Sequence, residues 1–342
     1  MRILLIMDPG IAVPPKGYGG HERLVYMFAR QYQKLGHKVD LLVSPGSAVE
    51  GCVVYSFGQD GFPPKKWNAL KAIPQAWLFL WKHRNNYDMI HNFGRLLFLL
   101  PVLNHKVNKI MTYGREIDSS NIRKIVKLPH KNLVFTAPSD DCVSTGSVAG
   151  KWVTVYNAID FSKYTPSYSV EPDAPLIFLS RLDRVKGCHI AIEVAKSTNN
   201  KLIIAGNIST IPSEFEYFKN EIEPHIDGEQ IIYVGTVNDE EKNFYLRQSK
   251  AMLFPIDIRE AFGMVMAESM ACGTPVIGFG CGAVPEVIEN EISGYVVPTK
   301  EEMVGALAKI EQIDRKGCAK RARERFDVSV ITEKYLKLVS YV

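Results

Sequence analysis

The sequence predicts an α/β protein built as two doubly wound, Rossmann-like domains that face each other across a deep cleft. Three observations predict it. The chain has 342 residues, more than one hydrophobic core usually supports. Short apolar runs alternate with segments of helical periodicity in both halves, the pattern of βαβ units and parallel sheets. Between Asp160 and Asp173 a polar stretch carrying Pro166 and Pro172 interrupts the alternation, which then restarts. The expected boundaries are 1–160 for the first domain, 161–327 for the second, and 328–342 for a C-terminal helix that packs back on the first.

Each element follows in order. Ile3–Met7 reads as a buried strand stopped by Asp8-Pro9-Gly10, His21–Leu35 as a helix ended by Gly36, and Lys38–Val43 as the next strand. Asp88–His91, Lys109–Tyr113, Leu133–Pro138 and Val153–Tyr156 continue the first sheet. Leu176–Ser180, Leu202–Ala205, Gln230–Val234, Ala251–Pro255 and Thr274–Phe279 form the second, and Ser329–Tyr341 has near-helical apolar spacing. Ligands of open parallel sheets bind beyond the carboxyl ends of the strands, so the loops that follow each strand are where chemistry is expected.

Composition narrows the function classes. The 46% hydrophobic and 23% charged content is that of an ordinary globular chain. Met1–Met7 lacks the length and cleavage site of a signal peptide, and the longest apolar run, Leu96–Leu103, is far too short to span a bilayer. Cys52, Cys142, Cys188, Cys272, Cys281 and Cys318 include no Cys-x-x-Cys pair, which fits a reducing, cytoplasmic setting. Residues 1–160 carry 20 Lys and Arg against 11 Asp and Glu, whereas residues 161–342 carry 21 against 26. The moderate overall excess, with no recognition motif, argues against nucleic acid as a partner.

The most informative stretch runs from Pro255 through Glu260, Gly263 and Glu268 to Gly273-Thr274-Pro275. A strand ends, a polar turn follows, and Gly263 opens a helix that Gly273 closes. The free N–H groups of Met264 and Val265, with the helix dipole behind them, suit a phosphate, and Gly263 permits close approach. Glu260, before the helix, can reach sugar hydroxyls; Glu268, on it, can accept from a ribose. A solvated helix would explain the charges but not the glycines around them. At this block the sequence closely resembles the retaining nucleotide-sugar glycosyltransferases of family 4, whose Glu-x7-Glu signature is Glu260 and Glu268 here. The resemblance implies the GT-B architecture, with an acceptor-side first domain and a nucleotide-sugar-binding second domain.

Two further elements fit it. In Ser180-Arg181-Leu182-Asp183-Arg184-Val185-Lys186-Gly187, Arg181 and Lys186 can grip one diphosphate and neutralise the charge on a leaving group. No metal or other cofactor is then expected, and no Asp-x-Asp metal motif is needed; in the resembling family these cations hold the donor phosphates. In the first domain, Pro15–Glu22 supplies Gly19 and Gly20 at a helix start. This loop is not G-x-G-x-x-G, and Asp40 comes too early in its strand for a dinucleotide site. A tight turn alone would also account for it. In the family the loop covers the donor, with Glu22 in a Gly-Gly-x-Glu pattern and on the acceptor side.

One departure stands out. Family members often carry a histidine after the strand that ends here at Thr112-Tyr113, where it contacts the transferred sugar, but Gly114-Arg115-Glu116 follows. His91, at another strand end, is the preferred cleft residue in its place, with a structural histidine as the alternative; Arg115 and Glu116 are the other candidates. Smaller matches are Asn157–Asp160 before the linker, Val234–Val237 with Val237 beside the base, and Pro285–Ile288. Trp67, Leu70, Ile73, Trp77, Leu80 and Trp81 form a stripe flanked by Lys71, Lys82 and Arg84. Packing on the chain's own sheet is the preferred reading of that stripe; contact with an anionic membrane, at the inner face, is the sharper one.

The resemblance implies a UDP- or GDP-sugar donor, an acceptor the sequence does not identify, retained anomeric configuration, and front-face substitution for want of an obvious enzyme nucleophile. The rivals are a nucleotide-sugar epimerase on the same architecture and a non-catalytic sugar-nucleotide-binding subunit.

Overall fold

Apolar runs of four to six residues become strands buried on both faces, as parallel sheets covered by helices require. The structure is a computed structural model that describes residues 1–15, 19–61, 66–115, 117, 119–146 and 149–340, the side chains of 66–69 and 340 aside. The chain divides into two units. One comprises Met1–Ala158 together with the segment from Val328, the other Ile159–Asp327.

The first unit is a seven-stranded parallel sheet made of β1 (Arg2–Ile6), β2 (Lys38–Val43), β3 (Val53–Ser56), β4 (Met89–Asn92), β5 (Asn108–Thr112), β6 (Leu133–Ala137) and β7 (Trp152–Thr154), in the order β3-β2-β1-β4-β5-β6-β7. Ile3, Leu4, Leu5 and Ile6 of its central strand are wholly buried, each side chain contributing about 1.5–3 kcal/mol of hydrophobic stabilisation. Helices α1 (Gly20–Lys34), α2 (Lys66–His83), α3 (Ser119–Ile125) and α4 (Asp140–Gly146) connect the strands.

The second unit is a six-stranded parallel sheet of β8 (Leu176–Leu179), β9 (Leu202–Ala205), β10 (Ile231–Gly235), β11 (Ala251–Phe254), β12 (Val276–Phe279) and β13 (Gly294–Val297), ordered β10-β9-β8-β11-β12-β13. It carries α5 (Cys188–Ser197), α6 (Pro212–Tyr217), α7 (Asp239–Gln248), α8 (Met264–Ala271), α9 (Val284–Val287), α10 (Lys300–Leu307) and α11 (Arg315–Phe326). The caps follow the sequence: Asn238 and Glu241 close a capping box on α7, and Asp314 accepts from the first turn of α11. The last helix, α12 (Val328–Ser340), belongs to the first unit, where Tyr335 packs edge-on to Phe28 of α1.

Both sheets are doubly wound, as the alternating pattern predicts. Strand order reverses between β1 and β4 in one sheet and between β8 and β11 in the other, and a crevice opens at such a switch point. The sequence pattern does not predict β3 or β13. The first is a half-exposed edge strand, and the second starts at Gly294, where a Cβ would lie 1.8 Å from the Val276 carbonyl oxygen. The polar stretch after Asp160 is tied down rather than loose: Tyr164 bonds to Glu268, and the Ser167 carbonyl accepts from Arg315.

The stripe on α2 departs from its preferred reading. Ala72, Ala76 and Leu80 are the buried side, while Leu70, Trp77, Leu78 and Trp81 are exposed. The helix packs on the segment Leu96–Val102, where the Trp77 indole N–H donates to the Leu97 carbonyl at 2.8 Å, so only part of the stripe is core. Trp67 lies outside the described side chains.

Candidate functional site

Three loops of the second unit meet at its switch point. Beyond β8, the chain passes Arg181 and turns through Arg184–Lys186 into Gly187, whose φ of +76° suits glycine. A Cβ at Gly187 would lie 2.1 Å from the Pro255 carbonyl oxygen, so the missing side chain lets this loop rest on the end of β11. The Asp257 N–H donates to the Val185 carbonyl at 2.9 Å and fixes the two loops together. The third loop follows β12: the Ala283 N–H donates to the Glu260 carbonyl at 2.8 Å, and a Cβ at Gly282 would meet the Glu260 backbone at 2.4–2.5 Å.

This backbone brings Lys186 and Glu260 together across 74 residues of sequence, Nζ to Oε2 at 2.9 Å, with both side chains mostly buried. Arg181 stands beside them in sequence but is half-exposed, and is held at 2.8 Å by the buried Asp183 carboxylate. Gly263, with φ +74°, caps α8. The Met266 N–H already donates to the Gly263 carbonyl, and the Met264 and Val265 N–H groups belong to the first turn, which has no intrahelical acceptors. An anion at this end of the sheet would meet two cations and a helix N-terminus.

Glu268 sits deeper. Its Oε1 accepts from the Tyr164 hydroxyl and from the Lys242 ammonium, each at 2.8 Å. Both partners use the same oxygen, and Oε2 has no hydrogen-bond partner among the described residues. Burial works against the charge on Lys242, but Glu268 and Asp239 outweigh it and hold its pKa above the ordinary lysine value. Tyr164 is driven well above the usual phenol range by burial and by the adjacent carboxylate. Neither Lys242 nor Tyr164 carries a local sequence signal: one is a lysine on a polar helix, the other a residue of the polar stretch. Val237 is half-buried between β10 and the cap of α7. Among the described residues, no three His, Cys, Asp or Glu side chains converge on a point that could hold a metal ion.

The corresponding corner of the first unit is also polar. Gly19 has φ +144°, and a Cβ there would crowd Pro15 and the Glu22 carboxylate at 2.8 and 2.9 Å. At Gly20 a Cβ would meet none of the described residues within 4 Å. Glu22 is buried, which raises its pKa, and Asp8 nearby adds to the rise. Asp8 follows β1 and is half-buried. Burial raises its pKa against the pull of Arg95, whose N–H donates to Oδ1 at 3.2 Å and whose guanidinium lies 3.6 Å away. Arg115 is exposed after β5. Glu116 and residues 16–18 of the glycine loop lie outside the described residues.

His91 is not a cleft residue. It is fully buried in β4, its Nδ1 3.3 Å from the Tyr32 hydroxyl and its Nε2 2.8 Å from Thr112 Oγ1, with Phe93 and Tyr335 against the ring. Burial alone lowers its pKa to about 3. A strand-end histidine in sequence has become a core histidine because its side chain points into the helix layer, under α1 and α12. The histidine at the polar corner is instead His21, on the first turn of α1, which the glycine-loop pattern passes over.

Residues 165–325 match the family described as glycosyl transferases group 1. The chain is 26% identical over 230 residues to a trehalose synthase of Pyrococcus horikoshii, covering 63% of this chain and 54% of that one. It is 28% identical over 189 residues to the N-acetyl-alpha-D-glucosaminyl L-malate synthase of Bacillus anthracis, covering 50% and 48%. The chain thus spans about half the length of these curated relatives. Its fold is that of the Anabaena protein HepE, solved in complex with UDP-glucose, with a TM-score of 0.73 at 17% identity over 100% of both chains.

Proposed function

We propose that this chain, which matches the glycosyl transferases group 1 family over residues 165–325, belongs to that family and transfers a sugar from a nucleotide diphosphate donor to an acceptor in glycan or glycoconjugate biosynthesis. The observation that carries the proposal is the meeting of Lys186, Glu260 and the start of α8 at the switch point of the second sheet. The donor's diphosphate lies against Arg181, Lys186 and the Met264 and Val265 N–H groups. Fixed cations aimed at the leaving phosphate stabilise the charge that grows there, and take the part a divalent metal would otherwise play. Glu260 orients the sugar through its hydroxyls, and the open oxygen of Glu268 holds the ribose.

The anomeric configuration is retained. With the protein's cations around the leaving group, the departing phosphate itself accepts the acceptor's proton on the same face, and only interactions that strengthen as charge develops raise the rate. HepE is described in complex with UDP-glucose, which favours a UDP-sugar here over a GDP-sugar. The exposed Trp77, Leu78 and Trp81, flanked by Lys71, Lys82 and Arg84, fit a lipid-linked acceptor at an anionic membrane surface. No helix among the described residues is long and apolar enough to cross a membrane.

The test is donor turnover in EDTA with UDP- and GDP-sugars, free nucleotide being read by chromatography. Release by the wild type, reduced at least about a hundred-fold in Glu260→Ala and Arg181→Ala, is expected. Tight donor binding without release, across a panel of sugar and lipid acceptors, would favour a non-catalytic binding subunit.

A further inference from the structure

Gly114 has no backbone reason to be glycine, since its φ is not among the positive values. The reason is steric. A Cβ built there would lie 1.7 Å from Nε2 of His21 and 2.4 Å from its Cε1, so the imidazole occupies the place where a side chain at position 114 would start. The ring comes from the first turn of α1 and hydrogen-bonds to the Gly114 backbone. Arg115 after β5 acts on the charge of both the ring and Asp8 after β1, and Asp8 in turn neighbours Arg95 after β4 and Glu22, one residue along the helix. These are the carboxyl ends of the three strands at and next to the switch point of the first sheet, where a ligand crevice is expected. Burial lowers the ring's pKa, partly offset by its bond to Gly114, which favours the neutral imidazole, and its second nitrogen has no partner among the described residues.

We propose that His21 supplies, from the helix start, the imidazole absent at position 114, and that it hydrogen-bonds to a sugar hydroxyl of the substrate. Gly114 and His21 then form one exchange: the strand end gives up its side chain and α1 fills the space. The inference rests on the glycosyl-transfer reading above and adds a substrate contact to it. The hydroxyl belongs either to the transferred sugar or to the acceptor.

Four forms of the full chain decide it: wild type, His21→Ala, Gly114→His, and the double variant His21→Ala/Gly114→His. Nucleotide release from UDP-glucose and GDP-mannose is followed in EDTA, without acceptor and with glucose, mannose and maltose present. UDP binding is measured by calorimetry. His21→Ala is expected to release nucleotide about ten- to a hundred-fold more slowly, the range for one hydrogen bond to a polar substrate group, while UDP affinity changes less than about twofold. Gly114→His alone clashes and loses activity. The double variant recovers at least about tenfold over His21→Ala, a rescue that a merely structural histidine would not give. Loss without acceptor assigns the hydroxyl to the transferred sugar, and loss only with acceptor assigns it to the acceptor. The proposal fails if His21→Ala turns over like wild type, or if the double variant binds UDP and melts like wild type yet is no faster than His21→Ala. A wild type that releases no nucleotide in any arm overturns the transfer reading itself, and this inference with it.

Discussion

Lys186 and Glu260 are held at 2.9 Å with both side chains mostly buried, and a diphosphate that arrives there must compete with the carboxylate for the ammonium. In the proposed reaction that competition is useful. Each partner keeps the other in place while the site is empty, and the phosphate draws Lys186 away and frees Glu260 for the sugar. The core histidine behaves in the opposite way, because nothing offsets its burial. His91 has a pKa near 3 in the folded chain against an ordinary value of 6.5. Above pH 6.5 the ring is neutral folded or unfolded, and its contribution to stability is complete. Below that, the unfolded chain takes up a proton that the folded chain refuses, so stability falls as pH falls, by about 1.4 kcal/mol per pH unit from this group. Urea unfolding of the wild type at pH 6.5 and pH 5 is expected to show that slope, and His91→Gln to flatten it. Equal slopes in both proteins would mean that His91 is not buried as described.

Among the elements, the loops that follow β8 and β11 were legible because their glycines and charges have no other economical reading: Gly187 and Gly263 both adopt positive φ, as their places before helices suggest. What the sequence hides is lateral. The Lys186–Glu260 pair, the grip of Lys242 and Tyr164 on Glu268, and the fit of His21 against Gly114 join residues on different loops, and no local spacing encodes them. The same limit misplaced His91, whose position at a strand end is correct but whose side-chain direction depends on the helices over it. Helix α2 shows the reverse, a stripe read as core in which Leu80 is buried but Leu70, Trp77 and Trp81 are exposed. Wild-type protein is therefore expected to co-sediment with vesicles containing anionic phospholipid at low salt, and Trp77→Ser/Trp81→Ser to lose most of that binding, since each buried aromatic contributes a few kcal/mol. Equal sedimentation of both would remove the membrane from the account.

At the scale of the whole molecule, the chain is two sheets wound by one rule, and each unit places its polar groups at its own switch point. The repeating pattern made the fold class and the strand count of each half largely readable, β3 and β13 apart. The crossing of α12 into the first unit buries Tyr335 against His91 and Phe28. Burial pushes its phenol up to about 12 despite its bonds to Thr112 and Thr136, so the C-terminal segment is part of that core. The central claim, however, concerns the second unit: the loops after β8 and β11 hold a nucleotide diphosphate. Calorimetric titration with UDP and GDP, in EDTA, of the wild type, Arg181→Ala and Lys186→Ala tests it most directly. The account predicts that the wild type binds at least one of the two, and that each variant weakens binding about ten- to a hundred-fold, since each removes a charge-assisted contact to phosphate. Binding of either nucleotide that is unchanged in both variants would contradict it.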